Sequence, residues 1–190
     1  PVPIVIAEIA TALALLRDRA VATGLLDLVE SADADRRTGA ARVVGVTLGS
    51  GAVGRATLER LVTELTAPDA AVRRDAARVL KELRDARARE PLSRRLAVEK
   101  DDMTVAVVLN ALAATGDRAA VLPISKFIVS LRTRGALPPY HFVWQRAFAA
   151  VTTLGGDDAD RFLRDASNWP EVRMTKELTE KLKPWTNPPR

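Results

Sequence analysis

Residues Pro68–Leu96 read PDAAVRRDAARVLKELRDARAREPLSRRL. Val72, Ala76, Val79, Leu80 and Leu83 fall at i, i+4, i+7, i+8 and i+11 of this stretch, a single apolar stripe along a helix. Pro68 and Asp69 stand where a helix is opened and capped. Arg84-Asp85 breaks the stripe, and Leu92 and Leu96 mark a second helix with a proline, Pro91, early in it. One such pair cannot bury its apolar face alone, so it must stack on neighbours of the same kind.

Those neighbours are in the chain. Shifted back by 36 residues, ADADRRTGAARVVGVTL falls on PDAAVRRDAARVLKELR, with Asp33 on Asp69, Arg37 on Arg73 and Arg42 on Arg78. Shifted forward by 32, Asp101 falls on Asp69, Leu112 on Leu80, Asp117 on Asp85 and Pro123 on Pro91. The opening segment LALLRDRAVATGLLDLV sets Asp18 on Asp85, and AFAAVTTLGGDDADRFL repeats the order helix, Gly-rich break, helix. With Leu13, Val44, Leu80, Leu112 and Val151 equivalent, the spacings are 31, 36, 32 and 39 residues, the longest holding an extra loop, Arg132–Pro139.

A helix opening D-x-x-V-R, then A-A-x-x-L, a Gly/Asp turn and a second helix with an early proline resembles the short HEAT-like repeat, a type also found in phycobiliprotein lyases. Asp69-Ala70-Ala71-Val72-Arg73 and Ala76-Ala77-Arg78-Val79-Leu80 carry the resemblance best. Val105 departs from it where Arg is expected, and Tyr140 takes the Asp position of the fifth unit. The resemblance spans roughly Ala7 to Leu182 and implies an all-α fold, an α-solenoid of about five antiparallel helix pairs. It specifies function hardly at all. The reading is one array over residues 1–183 and an irregular tail over 184–190. Helices are expected over 4–16, 19–30, 34–48, 53–66, 69–84, 87–97, 102–114, 118–131, 139–154, 157–166 and 171–183.

Composition agrees. Hydrophobic residues make up 47% of the 190 and charged residues 28%, too apolar for a disordered chain. Cysteine is absent, which excludes disulfides and thiolate metal sites. A His-based zinc site or a Ser-His-Asp triad would have to be built on the single histidine, His141, and no cofactor, metal or catalytic residue is assigned. No apolar run reaches the roughly 18 residues of a membrane span. Pro1 is not a natural start, so upstream sequence with a targeting signal is left open, and the cytoplasm is the favoured compartment.

The net charge of +5 is local. Between Arg73 and Arg95 nine basic residues face four acidic ones, which equals the whole excess. Arg37, Arg42, Arg73, Arg74, Arg78 and Lys81 belong to the first helices of two adjacent repeats, which line the concave side in HEAT-like arrays. Such a row can follow a phosphate backbone or an acidic protein strip. It can equally be a solvated face paired locally, for example Arg78 with Asp75 or Glu82. Few aromatics interleave with it, which argues against a single-strand stacking platform. Some HEAT-like proteins are alkylpurine DNA glycosylases, with a cationic concave face, a Trp and an acidic residue near the lesion. Trp144, Trp169 and Trp185 all lie outside the Arg-rich repeats, and no residue of that catalytic set is carried over.

Three further features invite a site. Tyr140, His141 and Trp144, with Phe142, form the aromatic cluster, either a binding hot spot or core. Asp33, Asp69 and Asp101 recur at helix starts, which N-capping explains without chemistry. Gly49-Ser50-Gly51-Ala52-Val53-Gly54 resembles part of a phosphate loop but lacks the Gly-Lys-Ser/Thr end and the preceding strand, so it is a turn. The function expected is a non-catalytic scaffold for a protein partner, an acidic one where the Arg row is the contact, with nucleic-acid binding the alternative.

Overall fold

The computed structural model describes residues 3–135, 138 and 141–186. Among them the chain is all-α, with no strand. The helices are α1 (Pro3–Leu16), α2 (Arg19–Gly24), α3 (Ala34–Thr47), α4 (Arg55–Glu64), α5 (Ala70–Leu83), α6 (Arg89–Val98), α7 (Asp102–Ala114), α8 (Val121–Arg134), α9 (Phe142–Leu154), α10 (Asp157–Ala166), α11 (Pro170–Arg173) and α12 (Lys176–Thr186). Short 3-10 turns occupy Asp27–Glu30, Ala86–Ala88 and Arg118–Ala120. The backbone divides into two compact units, Pro1–Gly116 and Asp117–Arg190.

The repeated aspartates set the helix starts. Asp33, Asp69 and Asp101 are the N-caps of α3, α5 and α7, each accepting from backbone N–H groups of the first turn. Asp18, Asp85 and Asp117 do the same for α2 and for the Ala86–Ala88 and Arg118–Ala120 turns. These caps satisfy donors that a helix start otherwise leaves unpaired. The positive-φ residue that closes each first helix is Gly49, Gly116 or Gly155 in three repeats but Arg17 (φ 51) and Arg84 (φ 53) in two others. A side chain there is strained relative to glycine.

In the first unit, α1 packs on α3, α3 on α5 and α5 on α7. The second helices pack across: α2 on α3, α4 on α5 and α6 on α7. Val44, Leu80 and Leu112, equivalent in sequence, are all fully buried. The α3–α5 approach is so close that a Cβ on Gly45 would lie 2.0 Å from the Glu82 carbonyl oxygen. A helix-interior glycine is a local cost that this contact explains.

In the second unit, α8 and α10 pack on α9, and α12 on α10 and α11. Trp144 stacks on Phe148 and Phe148 on Phe162, each at 6.2 Å, and Trp169 meets Phe162 edge-on at 5.7 Å. The sequence expectation of an irregular tail from 184 fails over its first three residues, since α12 continues to Thr186 with Pro184 inside it. Pro184 removes one donor only one turn from the helix end. The Trp185 Nε1–H donates to Asp160 Oδ1 at 2.9 Å and holds that last turn in place. Residues 187–190 lie outside the described residues.

Candidate functional site

The six residues of the basic row are positioned by α3 and α5, but five of them are spent on carboxylates. Arg37 donates through Nη2 to Glu64 Oε2 at 2.7 Å, and its Nη1 lies 3.2 Å from Asp75 Oδ2. Arg42 reaches Glu82 with Nε and Nη2, at 3.2 and 3.3 Å, and donates from Nη1 to Thr11 Oγ1 at 2.9 Å. Arg73 grips Glu99 with two parallel bonds of 2.8 and 2.9 Å and gives Nη1 to the carbonyls of Ala67 and Pro68. Arg74 donates to Asp101 Oδ1 at 2.7 Å, and Lys81 to Glu82 Oε1 at 2.8 Å. Arg78 is exposed and makes no ion pair among the described residues.

Apart from Lys81–Glu82, which lies within α5, these ion pairs run between elements. Arg42 on α3 reaches back to α1 and forward to α5, and Arg37 reaches α4 and α5. The Coulombic consequence is visible in the carboxylates. Burial of Glu99 would raise its pKa, but the Arg73 hydrogen bonds, the N–H groups of Asp101 and Lys100 and the Arg95 charge outweigh it and hold it at about 2. Asp101 is also held at about 2, by the Thr104 hydroxyl, then Arg74 and the Thr104 N–H. Asp75 moves the other way: burial raises it, and Arg37 and Arg78 only partly offset this. Over Pro1–Gly116 the chain has 17 basic and 16 acidic residues, so this unit is close to neutral despite its arginines.

The Gly-rich loop binds an anion, but an internal one. Gly51 donates its N–H to Asp85 Oδ2 at 3.1 Å, and Ser50 Oγ accepts from the Ala86 N–H at 3.2 Å. Asp85 also takes the Arg87 guanidinium at 2.6 Å. The loop therefore carries a cap for the following helix pair. That agrees with its reading as a turn.

Of the aromatic cluster, Trp144 does not lie on the surface. Trp144 is 1% exposed and belongs to the core of its unit, which corrects its candidacy as a contact residue. Its burial follows from the α9 stripe Trp144, Ala147, Phe148 and Val151, all buried. His141 is the N-cap of α9, its ring 4.5 Å from that of Phe142. Tyr140 lies outside the described residues. Among the described residues no group of three or more His, Asp or Glu side chains is placed to hold a metal, and no helix is long and apolar enough to cross a membrane.

No protein-family model and no curated protein matches this chain. The backbone is similar to the crystal structure of an engineered protein from a structural genomics consortium, with a TM-score of 0.57 and 21% sequence identity over 94% of this chain and 84% of that one. At this identity the likeness concerns the fold alone.

A surface that sequence reading passed over lies on α1. Ile4 is 64% exposed, Ile9 54%, Leu15 79% and Leu16 72%. Of the residues in α1 only Glu8 is charged. A helix apolar on every side belongs in an interior, yet this one is covered on the side that meets α3 and open on the other. An apolar groove of about 160 Å³ adjoins it, lined in part by Ile6, Ile9, Leu25 and Leu28. The signal was in the sequence: Ile4 to Leu16 has one charge, whereas α3 has four and α5 six.

Proposed function

We propose that this chain is a non-catalytic helical-repeat scaffold, an α-solenoid of HEAT-like pairs, that binds a protein partner through apolar surface. The observation that carries the reading is the open side of α1. Contiguous exposed apolar side chains on a folded chain mark interaction sites far more than scattered ones do. The alternative, a phosphate track along the arginine row, has less support. Guanidinium groups already paired with Glu64, Asp75, Glu82, Glu99 and Asp101 must break those bonds to take phosphate. Arg78 and the 42%-exposed Lys81 are what that face offers a polyanion.

A titration of labelled DNA duplex at about 50 and 150 mM salt separates the two, because each phosphate contact adds about −0.9 to the log–log salt slope. The expected result is weak binding with a shallow slope, lost near the higher salt. Sub-micromolar binding at the higher salt, abolished by Arg78→Ala with Lys81→Ala in a variant of unchanged circular dichroism, would overturn the scaffold reading and promote the nucleic-acid one.

A further inference from the structure

The open side of α1 is the side that its own repeats cover. In register, Ile9 corresponds to Ala40, Ala76 and Val108, and Ala12 to Val43, Val79 and Ala111. Those six are between 0 and 5% exposed, against 54% for Ile9. They are buried because the preceding first helix lies on them: a Cβ on Gly39 of α3 would touch Ala10 and Ile6 of α1, each at 3.3 Å. Glu8 occupies the position of Gly39 in α3 and of Asp75 in α5. Asp75 is the residue that receives Arg37 from the preceding helix, at 3.2 Å. The α1 face thus repeats the receiving half of the α3–α5 contact: an apolar bed with one carboxylate in it.

We propose that this face of α1 seats a helix of a partner protein that is apolar on its docking side and carries one Lys or Arg in register with Glu8, as α3 seats on α5 through Arg37 and Asp75. The proposal rests on the protein-binding reading and names the chemistry of the partner. A second copy of the chain fits worse. Glu8 is the one charge of α1, and the nearby Arg42 of α3 is held by Glu82 and Thr11, so a symmetric α1–α1 contact would bring two carboxylates onto an apolar bed with no cation from either α1 helix. A Lys or Arg on the incoming helix removes that penalty and fixes the register.

The probe is a hydrocarbon-stapled peptide with the α3 sequence ADRRTGAARVVGVTL, residues 34–48, which presents Arg37 as α3 does. Its binding to the full chain is measured by fluorescence anisotropy. Binding is expected, weakened about ten-fold or more by Glu8→Lys, which is about 1.4 kcal/mol. Glu8→Gln should weaken it less. Ile9→Glu should abolish it, and a peptide carrying Arg37→Glu should recover the Glu8→Lys chain. Both positions are exposed, so the circular dichroism of the variants should match the parent. No binding, or equal binding to the parent and Glu8→Lys chains, overturns the proposal. Self-association of the chain at micromolar concentration, lost in Ile9→Glu, overturns it in favour of a second copy. Protection of Ile9 and Leu16 from hydroxyl-radical labelling in the lone native monomer overturns it in favour of a segment of the same polypeptide. The scaffold reading falls on the duplex titration instead, so the two fail separately.

Discussion

Gly45→Ala is the sharpest test of the way α3 lies on α5. The added methyl would meet the Glu82 carbonyl oxygen at 2.0 Å, the Leu83 Cα at 2.9 Å and the Glu82 carbonyl carbon at 3.0 Å. A carbon sits about 3.3 Å or more from a carbonyl oxygen, so the helices must part by roughly 1 Å. All three atoms are backbone, and no rotamer change relieves the clash. Parting the helices also stretches Arg42–Glu82 and Arg37–Asp75, both at 3.2 Å. Overpacking of this kind costs up to about 3 kcal/mol, and alanine returns at most about 1 kcal/mol of helix propensity. A net loss of about 2 kcal/mol is expected, which lowers a urea midpoint by about 1 M if the slope is near 2 kcal/mol/M. Gly24→Ala is the control: it lies at the end of α2 with nothing within 4 Å of the new methyl, and should be neutral or slightly stabilising. Equal midpoints for parent and Gly45→Ala, followed by circular dichroism at 222 nm, would refute the close approach.

Leu80→Ala removes a fully buried side chain and should cost about 2–5 kcal/mol, whereas Asp69→Ala loses one capping bond and should cost about 1 kcal/mol; the same urea series checks both. Glu99 and Asp101 are depressed to about 2 in the folded chain, so the stability they supply is complete above the ordinary carboxylate range and drains away as pH falls from about 4.5 towards 2. Asp75, raised by burial, works in the opposite direction. Glu99→Gln should flatten the acid limb of melting temperature against pH and lower the neutral plateau, and an unchanged profile would contradict the arginine clasp.

Much of the architecture was legible because it rests on local chemistry that recurs. Asp33, Asp69 and Asp101 announce helix starts by capping, and Val44, Leu80 and Leu112 announce the core by their register. The partners of the arginines were not legible. Spacing along one helix offers Asp75 or Glu82 to Arg78, but Asp75 and Glu82 are taken by Arg37 and Arg42 from the helix before. Reach across a helix–helix contact is set by packing, which no single-helix pattern encodes. Trp144 was ambiguous for a related reason: an aromatic beside a loop reads as surface or core until the α9 stripe is seen to face inward. Gly45 was silent, since glycine inside a helix shows only its propensity cost and not the neighbour that demands it.

The bond from Gly51 to Asp85 bears on cooperativity. The second helix pair supplies the donor, and the third supplies the acceptor that also caps its own Ala86–Ala88 turn. Opening either pair breaks this bond and leaves Asp85, which is 1% exposed, with only the Arg87 donors of its own pair. Joined further by Arg37 and Arg42, the two pairs form one unfolding unit rather than two independent repeats. α1 has no such shared cap, and rests on α3 through apolar contact and the Arg42–Thr11 bond. Thermal opening should therefore begin at α1 and then take α3 and α5 together.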